Sequence, residues 1–194
     1  MYYGRYKHIR ESSWQCLYDY GIKRMPVDVV GIATSSDIKL VRNSDVDILK
    51  TPESGKTFFN GKKWIIVYDD TKTVEESRYT VAHELAHIFL GHELSAIGGS
   101  EIKEFIQNKS NENQADSFAI RILCPACVIK GLNILEAEDI ARACRVAPAL
   151  AKKRAKRMKI LLERDKFFTS AMEEMVYMNF SEYIQDKLWE REFL

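Results

Sequence analysis

Three of the four histidines in this 194-residue chain lie in one short stretch, YTVAHELAHIFLGH, at His83, His87 and His92. Apolar residues recur through the stretch at intervals of three and four, which predicts a helix over residues 79 to 90 that ends at Gly91. Two side chains four positions apart on a helix are separated by about 40° around its axis, so His83 and His87 can reach one ion. The stretch therefore predicts a helix that carries two metal ligands.

Glu84 lies between these two histidines in the chain. It is rotated by about 100° from His83 around the helix, so it is better placed to reach a water on the ion than to bind the ion itself. A catalytic zinc holds three protein groups and a water whose pKa falls towards about 7, and a neighbouring carboxylate can take the proton of that water. His-Glu-x-x-His metallopeptidases work in this way. On the five-residue pattern alone, an ordinary core helix stays an alternative.

The third ligand is expected on a separate helix. The segment NENQADSF places Glu112 and Asp116 four residues apart, on one face of a helix predicted from about residue 111 until Pro125. Glu112 is the candidate ligand, and Asp116 can accept a hydrogen bond from the far ring nitrogen of a ligand histidine and so fix its tautomer. Spacing alone leaves open that both are solvated carboxylates near the start of a helix.

His92 is a poorer ligand candidate. In the pattern HExxHxxGxxH the third histidine stands six residues after the second, where this chain has Glu93. Because Gly91 is expected to end the helix, His92 lies beyond the cap. We predict that it caps the helix or contacts a ligand histidine from behind.

Local patterns predict the elements that precede this helix. Residues 9 to 21 favour an N-terminal helix that a glycine closes, and Pro26 is expected near the first turn of a short second helix. A strand is predicted at residues 38 to 41. The dipeptide Asn60-Gly61 between two β-prone runs predicts a hairpin with a type I′ turn.

The remaining chain is mostly helical in its pattern. Residues 93 to 110 show no strong periodicity, residues 134 to 162 predict a helix, a short break and a second helix, and residues 172 to 183 predict one further amphipathic helix. The order of helices and strands indicates an α+β fold.

Composition limits the classes of protein to consider. With 46% hydrophobic and 29% charged residues the chain is neither depleted enough for disorder nor apolar enough for a membrane span, and we expect it in the cytoplasm. A net charge of +1 means that attraction to nucleic acid would need a local basic patch. For the four cysteines, Cys16, Cys124, Cys127 and Cys144, buried structural thiols are favoured over a metal site.

The stretch RYTVAHELAHIFLGH followed by ENQADSFAIRILCP resembles the paired pattern of the ImmA/IrrE family of bacterial and phage zinc metallopeptidases. That pattern is HExxH and then Glu-x-x-Ala-[Asn/Asp]-x-Phe-Ala before a leucine-rich stretch and a proline. The likeness extends loosely over about residues 10 to 162. It implies His83, His87 and Glu112 as zinc ligands and Glu84 as the general base.

The resemblance implies a mainly helical, zincin-like metallopeptidase domain with a small antiparallel β-sheet, which we place at residues 1–133. The helical periodicity of the residues beyond that domain predicts a helix-turn-helix-like segment at 134–164 and a C-terminal amphipathic helical extension at 165–194, and the resemblance does not extend to the latter. The resemblance also implies a protein substrate, since family members typically cleave, or relieve repression by, helix-turn-helix repressors of mobile elements or stress genes.

Two other functions stay open at this point. The chain could be a non-proteolytic zinc-containing regulator that binds a repressor or DNA. It could also be a different zinc hydrolase such as a deformylase, which is disfavoured because no suitable cysteine motif closely precedes His83.

The segment LAKKRAKRMK concentrates six basic residues, which invites a DNA-binding interpretation. An apolar stripe at spacings of four, three and four favours a solvated amphipathic helix instead, with docking to an acidic partner surface as the next alternative. The stripe consists of Ala151, Ala155, Met158 and Leu162.

One further residue and one further segment near the predicted site have alternative interpretations. Tyr79 shares a helix face with His83, and packing in the core is the favoured interpretation. The strand KWIIVYD, residues 63 to 69, is hypothesised to be a sheet edge to which an extended substrate adds.

Overall fold

The computed structural model describes residues 3–97, 101–106 and 108–193, and in these ranges a small sheet and its helices are followed by a run of helices. The helices are α1 (Tyr3–Asp19), α2 (Val29–Ser35), α3 (Asn43–Val46), α4 (Val74–Phe89), α5 (Lys109–Leu123), α6 (Ala126–Gly131), α7 (Ala137–Cys144), α8 (Pro148–Glu163), α9 (Ala171–Asn179) and α10 (Ser181–Phe193). The strands are β1 (Lys39–Arg42), β2 (Gly55–Phe59), β3 (Trp64–Tyr68), β4 (Leu94–Ala96) and β5 (Lys103–Phe105). The predicted α+β class is confirmed.

The chain forms two compact units. One unit is Asp28–Ala119, which contains the strands just named and every residue predicted for the metal site. The other unit combines Met1–Val27 with Ile120–Leu194. The division into domains at residues 133 and 164 stays a prediction.

The sheet has the strand order β1-β3-β2-β5-β4. It is mixed and not purely antiparallel, because β1 runs parallel to β3 while the other neighbours are antiparallel. The hypothesis that residues 63 to 69 form a substrate-binding edge is wrong, since β3 pairs with β1 on one side and β2 on the other. Ile66, at its middle, is fully buried.

The predicted hairpin is confirmed as β2 and β3, but its turn is not type I′. Phe59 pairs with Trp64, so the loop has four residues. Gly61 has a φ of +83°, whereas Asn60 does not adopt a positive φ, and a type I′ turn requires positive φ at both central residues. The Asn60 side chain instead accepts hydrogen bonds from the backbone N–H groups of the two lysines that close the loop.

Helix α4 begins five residues before the predicted start because of its cap. The Thr73 hydroxyl accepts from the Glu76 N–H while the Glu76 carboxylate accepts from the Thr73 N–H, a capping box that satisfies two backbone donors. The helix ends where predicted, with Gly91 at a φ of +65° just beyond it. Val81 and Leu85 are buried, and α4 packs against β2 and β3.

Pro26 lies near the first turn of α2, as predicted, two residues before the N-cap Asp28, whose side chain accepts from the Gly31 N–H at 2.9 Å. One other local prediction needs correction. The segment without clear periodicity contains β4 and β5, which pair with each other, and β5 also pairs with β2.

The other unit is helical. α9 packs against α1 and α6, and α7 packs against α8. The single helix predicted near residues 172 to 183 is two helices with a break at Phe180, which is fully buried. The C-terminal residues therefore complete the core of this unit.

The basic helix α8 is amphipathic, as predicted, with one exception on each face. Ala151, Ala155 and Met158 are buried, whereas Leu162 is exposed and Arg154 is only 5% exposed. All four cysteines are buried, as predicted. Among the residues that the structure describes, none of the helices combines the length and the apolar character needed to cross a membrane.

Candidate metal centre

Three imidazole and carboxylate groups converge between α4 and α5. His83 Nε2 lies 3.1 Å from His87 Nε2 and 3.1 Å from Glu112 Oε2, and His87 Nε2 lies 3.6 Å from Glu112 Oε1. Two ligands of a tetrahedral ion with bonds of about 2.0–2.1 Å are separated by about 3.3 Å. The spacing of these donor atoms therefore fits one small divalent ion, and the structure brings together the three residues predicted as its ligands.

Asp116 orients His83 from behind. His83 Nδ1 lies 3.0 Å from Asp116 Oδ1, and the Tyr79 hydroxyl donates to the same oxygen at 2.6 Å. A proton on Nδ1 that is donated to Asp116 leaves the lone pair of His83 Nε2 for an ion. Tyr79 is half-buried, and its hydroxyl also holds the carboxylate beside His83, a contact that the core-packing interpretation did not include.

His92 contacts the far side of His87, in the position predicted for it beyond the helix cap. The two Nδ1 atoms lie 2.9 Å apart, and the His92 backbone N–H donates to the His87 carbonyl at 3.1 Å. The His87 ring also packs on Phe105, with 5.2 Å between ring centroids. These contacts use the Nδ1 side of His87 and direct its Nε2 towards His83.

Glu84 is next to the converging groups in sequence but is not one of them. It is 9% exposed, and its Oε2 accepts a hydrogen bond of 2.6 Å from the hydroxyl of Thr57 on β2. Glu84 is rotated by about 100° from His83 around the helix axis, so the two side chains point in different directions. Glu84 is therefore adjacent to the candidate ligands without being one of them, which is the arrangement that the sequence predicts for a general base.

The match to known families can now be added to this geometry. A family model described as the IrrE N-terminal-like domain of peptidase family M78 matches residues 35–156, more than half of the chain. This chain belongs to that family. The comparison with curated proteins found no match. The matched range contains both helices of the candidate centre, so the predicted resemblance is confirmed over the residues that carry it.

The two ligand-candidate histidines of this M78 peptidase differ in the pKa of their rings. Burial lowers the pKa of His87 to about 3, with the neighbouring His83 and His92 adding to the effect, so His87 is neutral. Burial also lowers the pKa of His83, but the carboxylates of Asp116, Glu84 and Glu112 outweigh it and the net pKa is raised. His83 therefore has the higher pKa of the two histidines and loses its proton at a higher pH than His87 does.

The environment of Glu84 also changes its acidity. Burial raises the pKa of its carboxyl group, although the Thr57 hydrogen bond and His83 both oppose the shift. A base that works near neutral pH benefits from a pKa above that of an ordinary carboxylate. Burial similarly raises the pKa of Tyr79, and its hydrogen bond to Asp116 adds to this, so Tyr79 stays protonated as a donor.

Sequence reasoning missed the contributions of Thr57 and Phe105. Thr57 touches Glu84 only because β2 and α4 pack in one particular register, and the residues are 27 positions apart. Phe105 lies in a strand that sequence patterning did not detect. Tyr79 had a usable signal, since it stands one helical turn before His83.

Proposed function

We propose that this chain is a zinc-dependent endopeptidase that cleaves a protein substrate in the cytoplasm. The observation that carries the proposal is the convergence of His83 Nε2, His87 Nε2 and a Glu112 oxygen beside a buried Glu84, in a chain of a peptidase family. Two imidazoles and one carboxylate are a donor set that catalytic zinc uses, with a further position left for water. The donor atoms and their spacing fit that ion.

The residues of the chain divide the work of peptide hydrolysis between them. The ion, when bound, polarises the scissile carbonyl and lowers the pKa of a water. Glu84 takes a proton from the attacking water and delivers it to the departing nitrogen. Asp116, held by Tyr79, keeps His83 in the tautomer that presents Nε2 to the ligand cluster.

We further propose that the substrate is a helix-turn-helix transcriptional repressor of a mobile element or a stress response. The support is the resemblance of the paired motifs to the ImmA/IrrE family, whose members act on such regulators. Because the chain's net charge is only +1, binding to the repressor protein itself is favoured over binding to its DNA.

The test uses purified, zinc-loaded protein and the repressor encoded beside it, with the fragments identified by mass spectrometry. We expect discrete cleavage by the wild type and a loss of at least about 100-fold in rate in Glu84→Gln, which keeps the size of the side chain but cannot act as a base. The matched control is Glu163→Gln, the same substitution at an exposed residue of α8.

The same variants separate proteolysis from non-proteolytic regulation. If Glu84→Gln retains zinc and relieves repression as well as the wild type does, the chain is a metal-containing regulator that binds the repressor without cutting it. Loss of relief in Glu84→Gln, with relief intact in Glu163→Gln, supports the peptidase.

A further inference from the structure

Strand β2 faces α4 with alternate residues, and two of these residues meet Glu84. Side chains on a strand alternate between its faces, so Gly55 and Thr57 share the face towards α4, where Thr80 and Glu84 are one helical turn apart. A Cβ atom on Gly55 would overlap Cγ2 of Thr80 and would lie 3.3 Å from both Cγ and Oε1 of Glu84. The strand can approach the helix this closely because residue 55 has no side chain.

The close approach brings the Thr57 hydroxyl onto the Glu84 carboxylate. Thr57 is 2% exposed, and its Oγ1 donates to Glu84 Oε2 at 2.6 Å. This is the length of a hydrogen bond between a hydroxyl and an ionised carboxylate, which is stronger than one between neutral groups. Since both side chains are buried, solvent has little access to replace the bond.

We infer that Thr57 is the residue that positions Glu84 for proton transfer. The inference rests on the proposed peptidase function, since only a reacting carboxylate needs a defined orientation. The terminal torsion of a glutamate side chain has a broad distribution, so a carboxylate without a fixed partner would rotate. Thr57 occupies Oε2, and Oε1, which lies beside the bare Cα of Gly55, is then the oxygen that exchanges the proton with water.

The effect on rate follows from the geometry that a general base requires. A base must lie within hydrogen-bond reach of the proton that it takes. A displacement of about 1 Å at a reacting group can cost roughly 100-fold in rate. Thr57 does not touch the reacting atoms, so its loss should reduce the turnover number while leaving the ligands of the metal in place.

The hydrogen bond itself is tested by urea denaturation of the zinc-loaded protein. Thr57→Val keeps the shape of the side chain without its donor, and Glu84→Met keeps a similar volume without an acceptor. We expect Thr57→Val to raise the unfolding equilibrium constant by roughly 10- to 100-fold, the factor for a lost hydrogen bond to a charged group. In the Glu84→Met background, Thr57→Val should change the unfolding equilibrium constant by less than about threefold. An equal loss in both backgrounds overturns the inference.

The positioning role is tested on the repressor substrate with Thr57→Val and Thr57→Ser. We expect Thr57→Val to lower kcat by roughly 10- to 100-fold with KM and zinc content unchanged, and Thr57→Ser, which restores the hydroxyl, to stay within about threefold of the wild type. Full turnover by Thr57→Val, or a Thr57→Ser enzyme as slow as Thr57→Val, overturns the role. Absence of cleavage by the wild type would refute the proposed function, and the denaturation cycle would still decide whether Thr57 holds Glu84.

Discussion

Asp116 contacts the candidate ligand His83 without being a ligand itself, and its contribution to metal binding can be measured directly. Its Oδ1 accepts hydrogen bonds from the Tyr79 hydroxyl at 2.6 Å and from His83 Nδ1 at 3.0 Å. Asp116→Ala removes both acceptor and charge, whereas Asp116→Asn keeps a carbonyl oxygen and loses only the charge. The two variants should therefore weaken metal binding to different extents.

The size of the effect follows from the exposure of this carboxylate. Loss of a group that orients a metal ligand typically costs about 10- to 100-fold in affinity, or roughly 1.4–2.8 kcal/mol. Because 42% of the Asp116 side chain is exposed, water can replace part of its contribution, which favours the lower half of that range for Asp116→Ala. Asp116→Asn should lose less than about tenfold, and Tyr79→Phe about threefold or less, since it leaves the carboxylate on His83.

The assay is competition for zinc with a chromophoric chelator, at one fixed pH of 8 for every variant. The Glu163→Gln protein serves as the control for a charge change on the surface. We expect the zinc dissociation constant to be largest for Asp116→Ala, smaller for Asp116→Asn, smaller again for Tyr79→Phe and smallest for the wild type. Wild-type affinity in a folded Asp116→Ala protein would refute the assignment of Asp116 as the group that orients His83.

Three further predictions concern the ion and the helical unit. Zinc affinity should fall as pH decreases, because one proton must leave the His83 ring before the ion binds. Below the raised pKa of His83 the fall should reach up to about tenfold per pH unit. A zinc affinity that is constant between pH 5.5 and 8 would contradict this. Glu112→Ala should lose most of its bound zinc, measured by elemental analysis, while its far-UV circular dichroism is unchanged; full occupancy would mean that the third ligand is elsewhere. Gly131→Ala should destabilise the protein by about 1–2 kcal/mol in urea, because the new Cβ would lie 2.7 Å from Tyr177 Cε2 and 2.8 Å from Ile184 Cδ1. The cost should fall in an Ile184→Val background, which lacks Cδ1, and an undiminished cost there would refute the steric explanation.

The parts of the structure that sequence patterns predicted are those that depend on neighbours within one or two helical turns. The metal-ligand helix follows from its apolar periodicity and from Gly91, and the partner helix follows from the spacing of Glu112 and Asp116. The hairpin follows from the turn dipeptide between two β-prone runs. The convergence of His83, His87 and Glu112 was expected from the resemblance of the paired motifs to the ImmA/IrrE pattern, because spacing alone left the role of Glu112 open.

The features that sequence patterns did not predict depend on contacts between distant segments. β4 and β5 have three residues each, too few for a clear alternation, and β5 pairs with β2, more than forty positions earlier. The central position of β3 depends on its pairing with β1, which no local signal reveals. The burial of Arg154 within a basic segment is a further case, because it is decided by the helices packed around it.

The residues that hold the candidate ligands in place have a consequence for how the protein would respond to metal supply. α4 and α5 are built on apolar side chains of their own, among them Leu85 and Phe118, both fully buried. Unlike a small zinc finger, such a scaffold does not need the ion as a folding nucleus. Treatment with a chelator should therefore give a folded, inactive protein that regains activity as soon as zinc is returned. Under the proposed function, a change in metal supply would therefore switch protein that is already folded, without new synthesis or degradation.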